Sequence, residues 1–176
     1  MAITSGNWGS TKASRRSASL KAELDKIIKN FNKEVSQIEG DVQAGLITAG
    51  AIIKAQSQDN TPVDTGNLRA SHYLVSGRSV EEPNGGNFRT TGKKGKPNPS
   101  GERVASEHSG SVQAAGARAK AKGYPFIELG CTAFYAEAVH EDLSAQHPSG
   151  KAKFMEDAIK ANVGKALEII KQKAKR

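Results

Sequence analysis

The chain has 176 residues, 36% of them hydrophobic and 5% aromatic, with one cysteine and a formal net charge of +8. That length supports one ordinary domain with a modest core, built from Ile, Leu, Val and Ala, and the scarcity of rings argues against a large aromatic-lined cofactor pocket. The lone Cys131 excludes an internal disulfide and a cysteine-based zinc site, and reads as an inert buried thiol in a reducing compartment.

The charge is unevenly spread. Residues 1–22 carry +4, 23–82 carry −3, 83–122 carry +6, 123–150 carry −4 and 151–176 carry +5. The excess therefore sits in extensions and in the C-terminal segment, while the expected core is acidic. No run of 18 apolar residues occurs, and Met1 to Gly6 lack the apolar centre of a signal peptide. The sequence thus predicts a soluble protein made in the cytoplasm, without membrane contact.

In chain order, residues 1–18 are rich in Ser, Gly, Thr and Arg without an apolar period, and are expected to form a flexible N-terminal arm. From Leu20 the apolar positions Leu24, Ile27, Ile28, Phe31, Val35, Ile38, Val42, Leu46, Ala49 and Ile53 recur at helical spacing. They predict one long helix over 19–58. Gly40, Gly45 and Gly50 each weaken it by about 1 kcal/mol relative to Ala, with a bend or break expected near Gly40.

Pro62 ends that helix. A turn through Asp64, Thr65, Gly66 and Asn67 then leads into a strand at 71–76. Residues 81–122 hold seven glycines and three prolines among basic residues. They are expected to form a loop or hairpin insert, disordered or held from outside the subunit. A strand is expected at 124–130, a short helix or second strand at 133–140, and a closing helix from about Lys151. The fold class is α+β: residues 19–176 form a single domain in which the N- and C-terminal helices pack on one face of a small antiparallel sheet, and 23–80 with 123–176 supply the core.

Pro62, Asp64, Thr65, Gly66 and Asn67 make a well-formed turn, since Asp and Thr side chains bond nearby amides and Gly66 supplies positive φ. Asp-Thr-Gly also surrounds the catalytic carboxylate of aspartic proteases, but here it occurs once, after a helix, without the second carboxylate that chemistry shares. Glu137, His140, Glu141, Asp142 and His147 are the only cluster with metal-ligand chemistry. Their spacing matches no strong motif, and surface ion pairs or a subunit contact suit them better. His72 and His108 fall in no readable Ser-His-Asp order. No catalytic residue, metal or cofactor is expected.

Arg15 and Arg16 in the arm, with Arg89, Lys93, Lys94, Lys96, Arg103, Arg118, Lys120 and Lys122 in the insert, are candidates for contact with a neighbouring subunit or with DNA. Only Phe88 offers a stacking ring, so contact with nucleic acid would be through phosphate charge alone. Glu128, Glu137, Glu141 and Asp142 form a candidate acidic surface for a basic segment of the next subunit.

Three stretches carry a resemblance: Thr61-Pro-Val-Asp-Thr-Gly-Asn-Leu-Arg-Ala-Ser71, Tyr135-Ala-Glu-Ala-Val-His-Glu141 and Lys153-Phe-Met-Glu-Asp-Ala158. In that order, after a long helix, they resemble the small tail-component and tail-completion proteins of long-tailed phages, over roughly residues 20–80 and 124–176. The chain departs from them at Asp142–Ser149, before Gly150, and in the insert 83–122. The resemblance implies a non-enzymatic virion subunit at the head-to-tail neck. It implies a homo-oligomeric ring, commonly a hexamer, that contacts portal-adaptor, tail-tube or terminator proteins and approaches packaged DNA. A tail terminator, a head-closure ring and a free basic nucleic-acid-binding protein are the alternatives.

Overall fold

The computed structural model describes residues 10–78, 80–81 and 87–175, and their side chains except at 10–20, 80–81 and 93. Residues 1–9, half of the expected arm, lie outside the described residues. The chain divides into two units, Met1–Ile38 and Glu39–Arg176. The division falls inside the span 19–176 that the sequence reads as one domain. In the first unit the described backbone is the beginning of helix α1 (Ser10–Asn60), so the helix starts well inside the predicted arm and takes in Arg15 and Arg16. The expected break at Gly40 is absent from its span.

In the second unit α1 is followed by the short helix α2 (Asn67–Ala70), strand β1 (His72–Ser76), strand β2 (Val80–Glu81), a 3-10 turn at Lys93–Gly95 and helix α3 (Pro99–Ala121). Strand β3 (Ile127–Cys131), helix α4 (Ala136–Glu141) and helix α5 (Phe154–Ala174) complete it. The three strands are antiparallel in the order β2-β1-β3. The register pairs His72 with Cys131, Leu74 with Leu129 and Ser76 with Ile127. β1 is thus central, and all five of its residues are buried.

Alternation along β1 sends its side chains to two faces. On one, Gly50 of α1 lies so close to the sheet that a β-carbon there would stand 2.9 Å from Leu74 Cδ1 and 2.7 Å from Ile127 Cδ1. Gly45 meets α5 in the same way, 3.0 Å from the Ile170 Cα. Two glycines that weaken the helix by propensity are therefore what let it touch the sheet and α5, and the expected placing of the N- and C-terminal helices on one face of the sheet holds here.

The other face departs from the expectation. Tyr73 and Val75 pack with Val112, Ala115 and Ala119 of α3. The segment 81–122, read as a loop or hairpin, forms a hairpin-like turn closed by a Thr91–Pro97 bridge and then a 23-residue helix. Asn98 caps that helix by accepting from the Gly101 amide, and Pro99 occupies its first turn, where a missing N–H costs nothing. Its inner face, Val104, His108, Val112, Ala115 and Ala119, has the right period but is mostly alanine, histidine and small β-branched residues. A reading by hydrophobicity misses such a stripe, and two helical layers enclose the sheet.

The signature turn and the candidate interaction surfaces

The stretch Thr61–His72 is a joint between the end of α1 and the sheet. Thr61, Asn67, Ser71 and His72 are all buried, with Ser57 one turn earlier on α1. Buried polar groups need partners, and each of these has one. Thr61 Oγ1 donates to the Ser57 carbonyl at 2.6 Å, and Ser71 Oγ donates to the Leu68 carbonyl at 2.8 Å. The His72 Nδ1–H donates to the same Leu68 carbonyl at 3.1 Å. With Nδ1 protonated in the neutral ring, Nε2 is an acceptor, and it receives the Ser57 hydroxyl at 3.0 Å. Burial pushes the His72 pKa down to about 4, so the ring is neutral at physiological pH. Phe154 covers it, ring centroids 5.7 Å apart.

Gly66 adopts φ 86°, the left-handed conformation expected of it, and hands the chain to α2. Asn67 then does what the turn chemistry did not foretell. Its Oδ1 accepts from the Arg89 amide at 2.6 Å while its Nδ2 donates to the Arg89 carbonyl at 3.0 Å. One side chain thus satisfies both backbone groups of a residue 22 positions away. Asn98 Nδ2 adds a second donor to that carbonyl, so the turn, the 87–98 segment and the start of α3 are tied at one point.

Gly150 closes the joint from the other side. It has φ 78°, and a β-carbon there would lie 2.4 Å from the Pro62 nitrogen and 2.5 Å from the Thr61 carbonyl carbon. The Lys151 amide donates to the Asn60 carbonyl, and Asn60 Nδ2 to that of Phe154. The three segments that carry the resemblance thus meet in space. Beside the first two of them, the turn and the Tyr135 stretch, lies a cleft of about 390 Å³ lined by Pro62, Asp64, Thr65, Tyr135, Val139 and His147 among others. Burial raises the Tyr135 phenol above its usual pKa, helped by the Asp64 carboxylate.

The basic candidates are dispersed. The Arg89, Lys94, Lys96, Arg103, Arg118, Lys120 and Lys122 side chains are exposed. Arg103 stacks 4.2 Å over the Phe134 ring and pairs with Glu107, and Lys122 lies over Phe126. The side chains of Arg15, Arg16 and Lys93 lie outside the described residues. Arg118 is bound within its own chain: its Nη2 reaches Glu128 Oε1 at 2.5 Å, and the Tyr73 hydroxyl donates to the same oxygen. The Arg118 guanidinium holds the Glu128 carboxyl below its usual pKa.

The acidic candidates are partly engaged in the same way. Glu141 pairs with Lys153 and with His140 Nδ1, and Asp142 accepts from the Ser144 amide and hydroxyl and the Ala145 amide. Glu137 is exposed on α4. Among the described residues no group of three His, Cys, Asp or Glu side chains is placed to hold a metal ion. His140 packs edge-on against Phe154, and His108 lies on the inner face of α3, bonded to Thr132 Oγ1 at 2.6 Å. Burial pushes the Cys131 thiol up to about 12, far from the thiolate a nucleophile needs. No described helix is long and apolar enough to cross a membrane.

The class this defines is an α+β domain whose most distinctive residues form a structural joint. Residues 25–106 match the family model described as "Bacteriophage HK97-gp10, putative tail-component". The chain is therefore similar to phage tail components, as the three stretches imply. The match takes in the joint and continues through 83–106, more than half of the segment set apart as an insert, but stops before the Tyr135 and Phe154 stretches. No curated protein and no solved structure matches the chain.

Proposed function

We propose that the protein is a non-enzymatic structural subunit of the head-to-tail connection of a long-tailed phage, assembled as a ring in the neck. The observation that carries this reading is the match of residues 25–106 to the tail-component family, over the segment whose buried polar atoms are spent on holding the fold. A ring subunit needs a rigid core and surfaces that engage neighbours, and a head-to-tail contact closes into a ring when its rotation permits. Its partners would be further copies and the portal-adaptor, tail-tube or terminator proteins above and below, with the exposed lysines and arginines facing acidic neighbours or packaged DNA. A tail-terminator or head-closure ring is the closest alternative placement.

Size-exclusion chromatography with light scattering tests the reading. A closed ring, commonly a hexamer, or a monomer that assembles on a purified neighbouring ring is the expected result. A stable compact dimer that joins no such ring overturns it. A free nucleic-acid-binding protein would instead bind DNA at low salt and lose affinity steeply as salt rises.

A further inference from the structure

The first part of α1 carries a feature that a closed subunit does not explain. Leu24, Ile27, Ile28, Phe31, Val35 and Ile38 are 37–67% exposed. Leu24, Ile28, Phe31, Val35 and Ile38 follow one another at four, three, four and three residues, which gathers them on one helical face about 21 Å long. At about 100° per residue, Glu23 and Glu34 fall on one rim of that face and Asp25 and Glu39 on the other, with Lys21 the one cation among them. Lys26 and Lys33 lie on the back. The strip is apolar, acidic at its edges and of the kind that marks a contact surface.

A second strip lies on α5. Phe154 and Ala158 are buried, yet Ile159, Val163 and Leu167, each four residues apart, are 44–53% exposed. Lys160 and Lys171 flank them, and residues 159–176 hold six basic residues and one acidic. Lys160 and Lys171 pair with Glu156 and Glu168 in exposed contacts within one turn, which exchange at little cost.

We infer that the two strips cover each other between copies of the chain: the 24–38 face of one copy packs on the Ile159–Leu167 face of the next. Their rims are complementary, carboxylates on α1 against lysines on α5. Two copies of the α1 strip laid together would instead bring Glu34 and Glu39 against one another, a like-charge contact that coiled coils avoid. An anionic lipid surface would meet the same carboxylates. Because they are different patches, the contact is heterologous and repeats from copy to copy. In that respect the inference rests on the ring reading, and names the contact that would build it.

The full-length chain carrying Phe31→Cys and Val163→Cys tests this, with each single variant as control. Both positions are exposed, so circular dichroism should be unchanged. Oxidation or a short bismaleimide should link the double variant into a ladder of multimers, a mixture of the single variants into dimers only, and each single variant not at all. Phe31→Glu, which puts a charge into the apolar contact, should weaken self-association about tenfold or more.

A ring by light scattering without the Phe31–Val163 link overturns the contact and leaves the ring reading standing. The link in open-ended chains that never close does the reverse. A link between two Phe31→Cys copies, or a monomer at every concentration, overturns the contact.

Discussion

The two stretches of α1 follow one apolar period and meet opposite surroundings. In residues 39–60 the buried positions are Gln43, Gly45, Ala49, Gly50 and Ser57. In residues 21–38 the period is filled by Leu24, Ile27, Ile28, Phe31, Val35 and Ile38, all at least 37% exposed. Size runs against burial. Where the helix is closed by its own chain, Gly45 and Gly50 bring it within van der Waals distance of Leu74, Ile127 and the Ile170 backbone, and no larger residue fits at those two positions. In residues 21–38 the large apolar side chains are exposed. A helix whose bulkiest side chains are exposed while Gly45 and Gly50 are buried puts its large apolar residues where folding of its own chain makes least use of them.

The largest effect expected from breaking the closed stretch is at Gly150. Its φ of 78° strains any other residue, and a methyl group would run into the Thr61–Pro62 backbone, which cannot step aside as a side chain could. Gly150→Ala should therefore cost about 3–5 kcal/mol, from backbone strain and overpacking together. Urea unfolding would measure it. Gly164→Ala is the matched control: this helical glycine has nothing within 4 Å of its β-carbon, and alanine there should stabilise by up to about 1 kcal/mol. Equal responses at the two glycines would mean that the joint does not hold the end of α1 as described.

A second test uses the neutral histidine at the base of the joint. The folded state holds His72 at about 4, below its ordinary 6.5, so between those values the unfolded chain binds the extra proton. The sign follows: the stabilisation is complete above about pH 6.5 and is lost as pH falls towards 4, up to about 3 kcal/mol in all. Unfolding free energies measured from pH 4 to 8 should rise with pH across that window, and His72→Gln should flatten the rise. An unchanged slope in the variant would assign the pH dependence to other groups.

How much of this was legible in the sequence depends on what each residue contributes. The α1 period, the strand at 71–76, the positive φ of Gly66 and the closing helix were readable because each depends on a local preference. α3 was not, because its buried face is Val104, His108, Val112, Ala115 and Ala119, and glycine, proline and lysine around it imitate a loop. Its Asn98-Pro99 start and its four-four-three-four spacing were the available signals. The bond from Asn67 to Arg89 was invisible for another reason: both residues look ordinary, and only the tertiary fold brings them together. Arg118 and Glu128, assigned from the charge map to facing subunits, meet within one chain because α3 lies beside β3.

The smallest effect on stability is expected from the residue that would look most important in a hydrophobicity plot. Phe31 is the most exposed of the α1 strip, at 67%, so truncating it removes little area that folding buries. Phe31→Ser should change the unfolding free energy by less than about 0.5 kcal/mol, as surface substitutions do. If the strip exists for another copy, the same change should shift self-association measurably at protein concentrations where the parent chain assembles. A large loss of stability with no change in assembly would instead mean that the strip is covered within the chain, and the contrast between the two stretches of α1 would disappear. A loss of assembly at constant stability is the outcome that separates a contact surface from a core, because folding and association then respond to different residues of one helix.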